Sequence, residues 1–182
     1  EEAYSIAMLV AERADAAHKS FDLRIFATDV AQGVLSSARG GLYPASIEAD
    51  VSQERLQRFF KHDDDHYRVK QALRETITFA PQNVLQDPPF SRLDLVSCRN
   101  FLIYLEPDLL RRVLALFHFS LREDGHLFLG TAETVHGRDE LFEAVSKKWR
   151  IFRRLGPTRH DMVDFPLLGA GESSSSTPSR AA

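Results

Sequence analysis

Polar groups appear at four places where apolar runs of the sequence break off. Asp29 closes "LRIFATD", Asn83 follows "TITFAPQ", Cys98, Arg99 and Asn100 interrupt "RLDLVSCRNFLIYL", and Glu133 follows "HLFLGTA". Each run reads as a strand, and in open α/β sheets ligands bind outside the carboxyl ends of the strands. A carboxylate closing the second strand of such a sheet is placed to accept hydrogen bonds from both hydroxyls of an adenosine ribose. Asp29 is the candidate for that role, and its alternative is to cap a helix opening at Val30, since Asp is a preferred cap. Asn83 can present a donor and an acceptor to an adenine edge, although Asn after a strand is often only a turn residue.

Arg99 and Asn100 pose the sharper question. Left unpaired inside an apolar segment they would cost several kcal/mol, so they must face a partner. That partner is either a ligand in a pocket at the strand end or an internal ion pair with Asp94 or Glu133. Cys98 reads as a small core residue, because nothing near it in sequence marks a lowered thiol pKa. The run "HDDDH", His62 to His66, gathers metal-ligand types, but in what reads as a solvated loop rather than on rigid elements, and no metal site is assigned to it.

The elements that must position these groups alternate. "EEAYSIAMLVAERADAAHKS" spaces Ala3, Ala7, Val10 or Ala11, and Ala14 as a helix, with Glu1 and Glu2 at its acid-favouring start. A strand to Asp29 and a short helix stopped by Gly40 and Gly41 follow. From Leu42 to Glu75 the pattern loosens into an inserted subdomain, with a helix after Ser52 and a strand at "YRV". Strands then read at "ETITFAPQN" and "LDLVS". A helix spans "EPDLLRRVLALFHFSLRE", with Pro107 in its first turn, Gly125 past its end, and Leu110, Val113, Leu114, Phe117 and Leu121 as its buried stripe. A strand at "GHLFLGT", a helix at "GRDELFEAV" and a last strand at "KWRIFRRL", carrying Trp149, Ile151 and Phe152, complete the pattern. This alternation predicts an α/β fold with a mostly parallel sheet. From Gly156 the chain turns into a Ser-rich linker or disordered tail.

Composition bounds the rest. The chain has 182 residues, 43% of them apolar, enough for one domain with a core. No apolar run approaches the ~20 residues of a membrane span. A single cysteine excludes an internal disulfide and fits a reducing cytoplasm. The net charge of −3, from 23 basic and 26 acidic residues, argues against nucleic acid as a partner.

The stretches "EEAYSIAMLVAE", "IFATDVAQGVLSSARGGLYP", "FAPQNVLQDPPFSRLDLVSCRNFLIYLEPDLLRRVL" and "LREDGHLFLGTAETV" together resemble the catalytic domain of the CheR-type chemotaxis receptor methyltransferases. The resemblance covers about residues 1 to 155, and the CRN-x-x-IY element is specific to that family. It implies a Rossmann-like sheet, S-adenosylmethionine (SAM) as cofactor with S-adenosylhomocysteine as product, and methyl transfer to glutamate side chains on the cytoplasmic helices of chemoreceptors. It further implies cofactor contacts at Glu2, ribose binding at Asp29 and adenine-side positions at Asn83 and Val84. A cofactor wall is implied at Cys98, Arg99 and Asn100, with Tyr104 near the transferred methyl; Tyr104 and Arg99 are the catalytic candidates. In detail the chain looks like the CheR portion of a fusion with CheB-like and sensor domains.

On this resemblance, residues 1–41 and 76–155 form the methyltransferase core, 42–75 the inserted β-subdomain, and 156–182 the linker or tail. The family's Gly-containing turn and first strand would precede Glu1, so the chain reads as an N-terminally truncated fragment. The insert lacks the glycine-containing loop with which some members dock a receptor tail peptide as an added strand, so no such docking is expected. Two rival readings remain: a nucleotide-dependent oxidoreductase on the same fold, which would also want Asp29 at a ribose, and a non-catalytic regulatory module within a multidomain sensory protein.

Overall fold

The computed structural model describes residues 1–135 and 138–157. It is a mixed α/β protein of two compact units, the first from Glu1 to Asn83 and the second from Val84 onward. Most of the tail expected from Gly156 lies outside the described residues. Among those described, no helix is long and apolar enough to cross a membrane.

In the first unit, helix α1 (Glu2–Ala16) precedes strand β1 (Ile25–Asp29), which helix α2 (Gln32–Gly40) follows. Gly41 ends α2 at φ 60°, with atoms of Arg74, Tyr4 and Val69 within 3.1–3.2 Å of where a Cβ would stand. Both the left-handed backbone and the close approach require glycine there. The buried face of α1 is Tyr4, Ala7 and Met8, with Ala3 and Ala11 of the alanine row packed beside them and partly buried. Tyr4 sets this orientation: its hydroxyl donates to the Ala38 carbonyl at 2.9 Å and its ring meets Phe79 at 5.8 Å.

Strands β2 (Leu42–Pro44), β3 (Phe60–Asp63) and β4 (His66–Val69) form an antiparallel sheet in the order β2-β4-β3. Helix α3 (Gln53–Phe59) stands between β2 and β3, and the Ser52 hydroxyl accepts from Arg55 N–H at its start. The His62–His66 run is the tip of the β3–β4 hairpin, not a loop. His62 pairs with Tyr67, Asp63 pairs with His66, and Asp64 turns the chain at φ 49°, a conformation Asp tolerates better than most residues. After helix α4 (Gln71–Arg74), strand β5 (Ile77–Pro81) pairs in parallel with β1, from Ile25 opposite Ile77 to Asp29 opposite Pro81.

The second unit is a four-stranded sheet in the order β6-β7-β9-β8, built from β6 (Leu93–Cys98), β7 (Leu121–Leu129), β8 (Phe142–Ser146) and β9 (Ile151–Arg154). Helix α5 (Pro107–Ser120) connects the parallel pair β6–β7, while β9 runs antiparallel to both β7 and β8. The mostly parallel sheet expected from alternation is therefore mixed. The link between β8 and β9, residues 147–150, is too short for a crossover, which needs a dozen residues or more.

Three expected elements change for local reasons. The helix read over "GRDELFEAV" opens at Gly137, outside the described residues, and its end is instead strand β8, where Glu143 forms an ion pair with Arg153 across the strands at 2.5 Å. Helix α5 stops at Ser120, so Leu121 belongs to β7. Gly125 instead lies in β7, where a Cβ would stand 2.9 Å from the Arg122 carbonyl oxygen. Trp149 precedes β9 and is exposed, and Phe152 and Arg154 are the residues β9 buries. The core gathers Leu114, Phe117, Leu127, Leu129 and Phe152 between α5 and the sheet.

Helices α1 and α3 are joined by a two-pronged ion pair, Arg55 Nε to Glu12 Oε1 at 2.7 Å and Arg55 Nη2 to Glu12 Oε2 at 2.8 Å. These hydrogen bonds hold the Glu12 carboxyl below its ordinary range. A depressed carboxyl pKa contributes stability above the unfolded-state value, and the contribution disappears as pH falls through the folded-state value. Because both side chains keep access to water, Glu12→Gln is expected to cost at most about 1 kcal/mol at pH 7. The difference from the parent should shrink below pH 4.5, the ordinary value for this group, as measured by urea denaturation across pH.

Candidate functional site

The parallel pairing in each unit brings strand ends together. In the first, Asp29 ends β1 opposite Pro81, and Gln82 N–H donates to the Asp29 carbonyl at 3.1 Å, so Asn83 leaves the sheet beside Asp29. The Asp29 carboxylate is exposed, and its Oδ1 accepts from Ala31 N–H at 2.8 Å. This is a turn across the strand end; α2 begins later, at Gln32, with Ala31 as a cap that lends no side chain. The rest of the carboxylate faces solvent. Glu2 lies half-buried in the first turn of α1, which the Tyr4–Phe79 contact holds against β5.

In the second unit, β6 ends at Cys98 opposite Leu129 of β7, so the segments after both strands are neighbours. Cys98 packs against the core, as does Val84. Arg99 and Asn100 are both exposed, which corrects the premise that they interrupt a buried segment. The Arg99 guanidinium lies over the Phe128 ring at 5.3 Å. Asn100 adopts φ 57°, the left-handed conformation that Asn visits more readily than most residues, so backbone geometry accounts for a carboxamide at this point. The chain then closes a 3-10 turn over Leu102–Tyr104. Within it Leu102 is buried, while Tyr104 is 78% exposed and presents its phenol to solvent.

The two acids considered as ion-pair partners for this turn are engaged otherwise. Asp94 pairs with Arg122 at 2.6 Å. Glu133, only 2% exposed, directs its carboxylate at main-chain N–H groups. Oε1 accepts from Phe101 and Leu102, both at 2.7 Å, and Oε2 accepts from Asn100 at 3.0 Å and Gly130 at 2.7 Å. Sequence reasoning named Glu133 as a polar group after a strand and as a possible ion-pair partner, not as an acceptor of main-chain N–H groups. The available signal was its position, three residues after a glycine that follows a strand.

Two open depressions of about 500 and 360 Å³ are lined by residues at the end of α1 and around α4 and β5, and neither includes a candidate residue. Among the described residues no group of His, Cys, Asp and Glu is arranged to hold a metal ion.

A family model for the CheR methyltransferase SAM-binding domain matches residues 1–151. The chain belongs to the CheR methyltransferase family. Relatives include an uncharacterized 104.1 kDa protein in the hypE 3′ region of Rhodobacter capsulatus, 39% identical over 90% of this chain and 17% of that protein. A chemotaxis protein methyltransferase of Borreliella burgdorferi is 31% identical over 78% of this chain and 51% of its own length. The chemotaxis protein methyltransferase Cher2 of Pseudomonas putida is 33% identical over 80% of this chain and 54% of its own length. The chain thus spans about half of the chemotaxis methyltransferases it matches.

The donor set of this CheR-family chain fits SAM. An exposed carboxylate with one oxygen committed to a turn can still accept from a ribose diol. The candidates divide between the units: Glu2, Asp29 and Asn83 belong to the first, and Val84, Cys98, Arg99, Asn100 and Tyr104 to the second.

Gly130 is the tightest of the described glycines in the second unit. A Cβ there would stand 2.7 Å from Glu133 Oε2, 3.0 Å from Asn100 Oδ1 and 3.2 Å from Asn100 N. Gly130→Ala is expected to destabilise the fold by about 1–3 kcal/mol, the usual range for overpacking. Chemical denaturation would measure this, and a change within error would mean that the turn accommodates a methyl group.

Proposed function

We propose that this chain is part of a protein-glutamate O-methyltransferase that uses SAM to methylate glutamate side chains on the cytoplasmic helices of chemoreceptors or related sensory proteins. Its membership of the CheR family carries the reading, since the family model is that of a SAM-binding domain. The names of the Borreliella and Pseudomonas relatives support chemotaxis as its setting. The 104.1 kDa relative, of which this chain matches 17%, supports a place within a longer chain; the reading takes its other parts to be CheB-like and sensor domains and its setting to be the cytoplasm.

In this reading Asp29 accepts hydrogen bonds from the ribose hydroxyls, and Asn83 and Val84 meet the adenine. Glu2, Cys98, Arg99 and Asn100 line the rest of the cofactor. SAM held by these residues would supply an electrophilic methyl group to a glutamate oxygen, with the neutral thioether S-adenosylhomocysteine as its leaving group. The chain's own residues need not remove a proton, because a glutamate with a reference pKa of about 4.3 is already ionised near neutrality. Their work is to hold the reacting atoms in line and to exclude water. Tyr104, exposed on its turn, either orients the incoming carboxylate through its phenol or contacts the transferred methyl. The inserted sheet at residues 42–75 is the family's β-subdomain in this assignment, sharing a core with α1.

Calorimetric titration of S-adenosylhomocysteine into the chain, and into a form extended upstream, tests the reading. Binding is expected, at least in the extended form. Asp29→Ala should weaken it about 10- to 100-fold, the range for losing hydrogen bonds to a charged group. Absence of binding in both forms would favour the regulatory module, and preference for a nicotinamide dinucleotide would favour the oxidoreductase. Tyr104→Phe should lower kcat about tenfold or more, in the range of a lost orienting contact, with S-adenosylhomocysteine affinity nearly unchanged. Equal activity would remove Tyr104 from the chemistry.

A further inference from the structure

Glu133 combines features that a stability role alone does not require. It is buried, its carboxylate has no part in the proposed chemistry, and its hydrogen bonds go to the segment that carries the candidate groups of the second unit. Three of its four donors are the consecutive N–H groups of Asn100, Phe101 and Leu102, and the fourth belongs to Gly130. Consecutive amides aimed at one anion, with a left-handed residue among them, form the concave main-chain arrangement that binds anions in many proteins. Here Asn100 is the left-handed residue, at φ 57°. The anion is the protein's own carboxylate.

The same carboxylate is locked from its own side. Glu133 N–H donates to the Gly130 carbonyl at 3.0 Å while Gly130 N–H donates back to Oε2 at 2.7 Å, so the end of β7 closes on itself and delivers the side chain. The amides it holds begin the 3-10 turn, in which Tyr104 N–H donates to the Phe101 carbonyl at 3.2 Å. The direction of Tyr104, itself exposed, is therefore inherited from the Glu133 knot. So are the directions in which Arg99 and Asn100 leave the backbone.

We infer that Glu133 is a positioning residue, which fixes the Arg99–Tyr104 turn through main-chain hydrogen bonds and so sets the cofactor affinity and transfer rate without touching either reactant. The inference rests on the methyltransferase reading above. It assigns a division of labour: β6 and the turn present the reacting side, and the carboxylate after β7 holds that presentation still. A carboxamide cannot replace it, because Gln at this position would turn an NH2 toward N–H donors on one side. Asp keeps both oxygens but reaches one methylene less far.

The test compares the full-length protein with Glu133→Gln and Glu133→Asp. Folding is followed by circular dichroism, S-adenosylhomocysteine affinity by calorimetry, and kcat and KM by methyl transfer to receptor. Expected for folded Glu133→Gln are at least a tenfold loss of affinity and a fall in kcat larger than any rise in receptor KM, with partial recovery in Glu133→Asp. Affinity and kcat within twofold of the parent in folded Glu133→Gln would overturn the inference and leave the methyltransferase reading standing. A parent protein that binds no S-adenosylhomocysteine would overturn both. If the Gln variant does not fold, hydrogen exchange in the parent decides. Amides of Asn100, Phe101, Leu102 and Gly130 should exchange as slowly as those of β7, and loop-like rates would refute the knot.

Discussion

A carboxylate withdrawn from water must be met by cations or by hydrogen-bond donors, and in the second unit the donors are main-chain N–H groups converging on Glu133. Much of the local geometry is a consequence. The parallel pairing of β6 with β7 puts Cys98 opposite Leu129, so the two departing segments are close enough for one side chain to bridge. Asn100 must enter the left-handed region to aim its N–H inward, and Gly130 must lack a side chain because the carboxylate occupies the space a Cβ would need. None of these features is independent, since removing any one leaves a buried charge short of donors.

The sequence revealed the elements whose punctuation is local. Gly41 stops α2 because a left-handed residue is needed, Ser52 caps α3 with its hydroxyl, and Pro107 opens α5 where a missing N–H costs nothing. Strands β1, β5 and β6 were legible from β-rich runs, and the position of Asp29 at a strand end followed from the run that it closes. These signals survive because each depends on residues only a few positions apart.

What sequence misjudged depends on pairing across distance. "ELFEAV" has good helix formers, yet β9 makes the pairing partner that turns it into β8, and no property of the six residues announces Arg153. The acidic His62–His66 run looked like a loop by composition, but its neighbours are a hairpin register set by Phe60 opposite Val69. Helix α5 had an apolar pattern that continued through Leu121, and only the parallel pairing with Leu93 reveals that this leucine is already in a strand. Arg99 and Asn100 were read as side chains needing partners, whereas for Asn100 the decisive property was its backbone.

That last difference reaches into the chemistry. A reaction whose nucleophile arrives ionised asks for no general base, and so leaves no titratable pair or charge-relay pattern in the sequence. Catalytic power then resides in position, and position can be held by groups that never meet the substrate. Such groups act through main-chain amides, whose presence is common to almost every residue type, so the loop they hold carries no composition signal. The holder itself is visible only as an acid shortly after a strand, one of 26 acidic residues in the chain. The pattern that distinguishes Glu133 is therefore the pairing of a glycine three residues before it with a left-handed asparagine on the adjacent strand end, a relation between two segments thirty residues apart that exists only once β6 and β7 lie side by side.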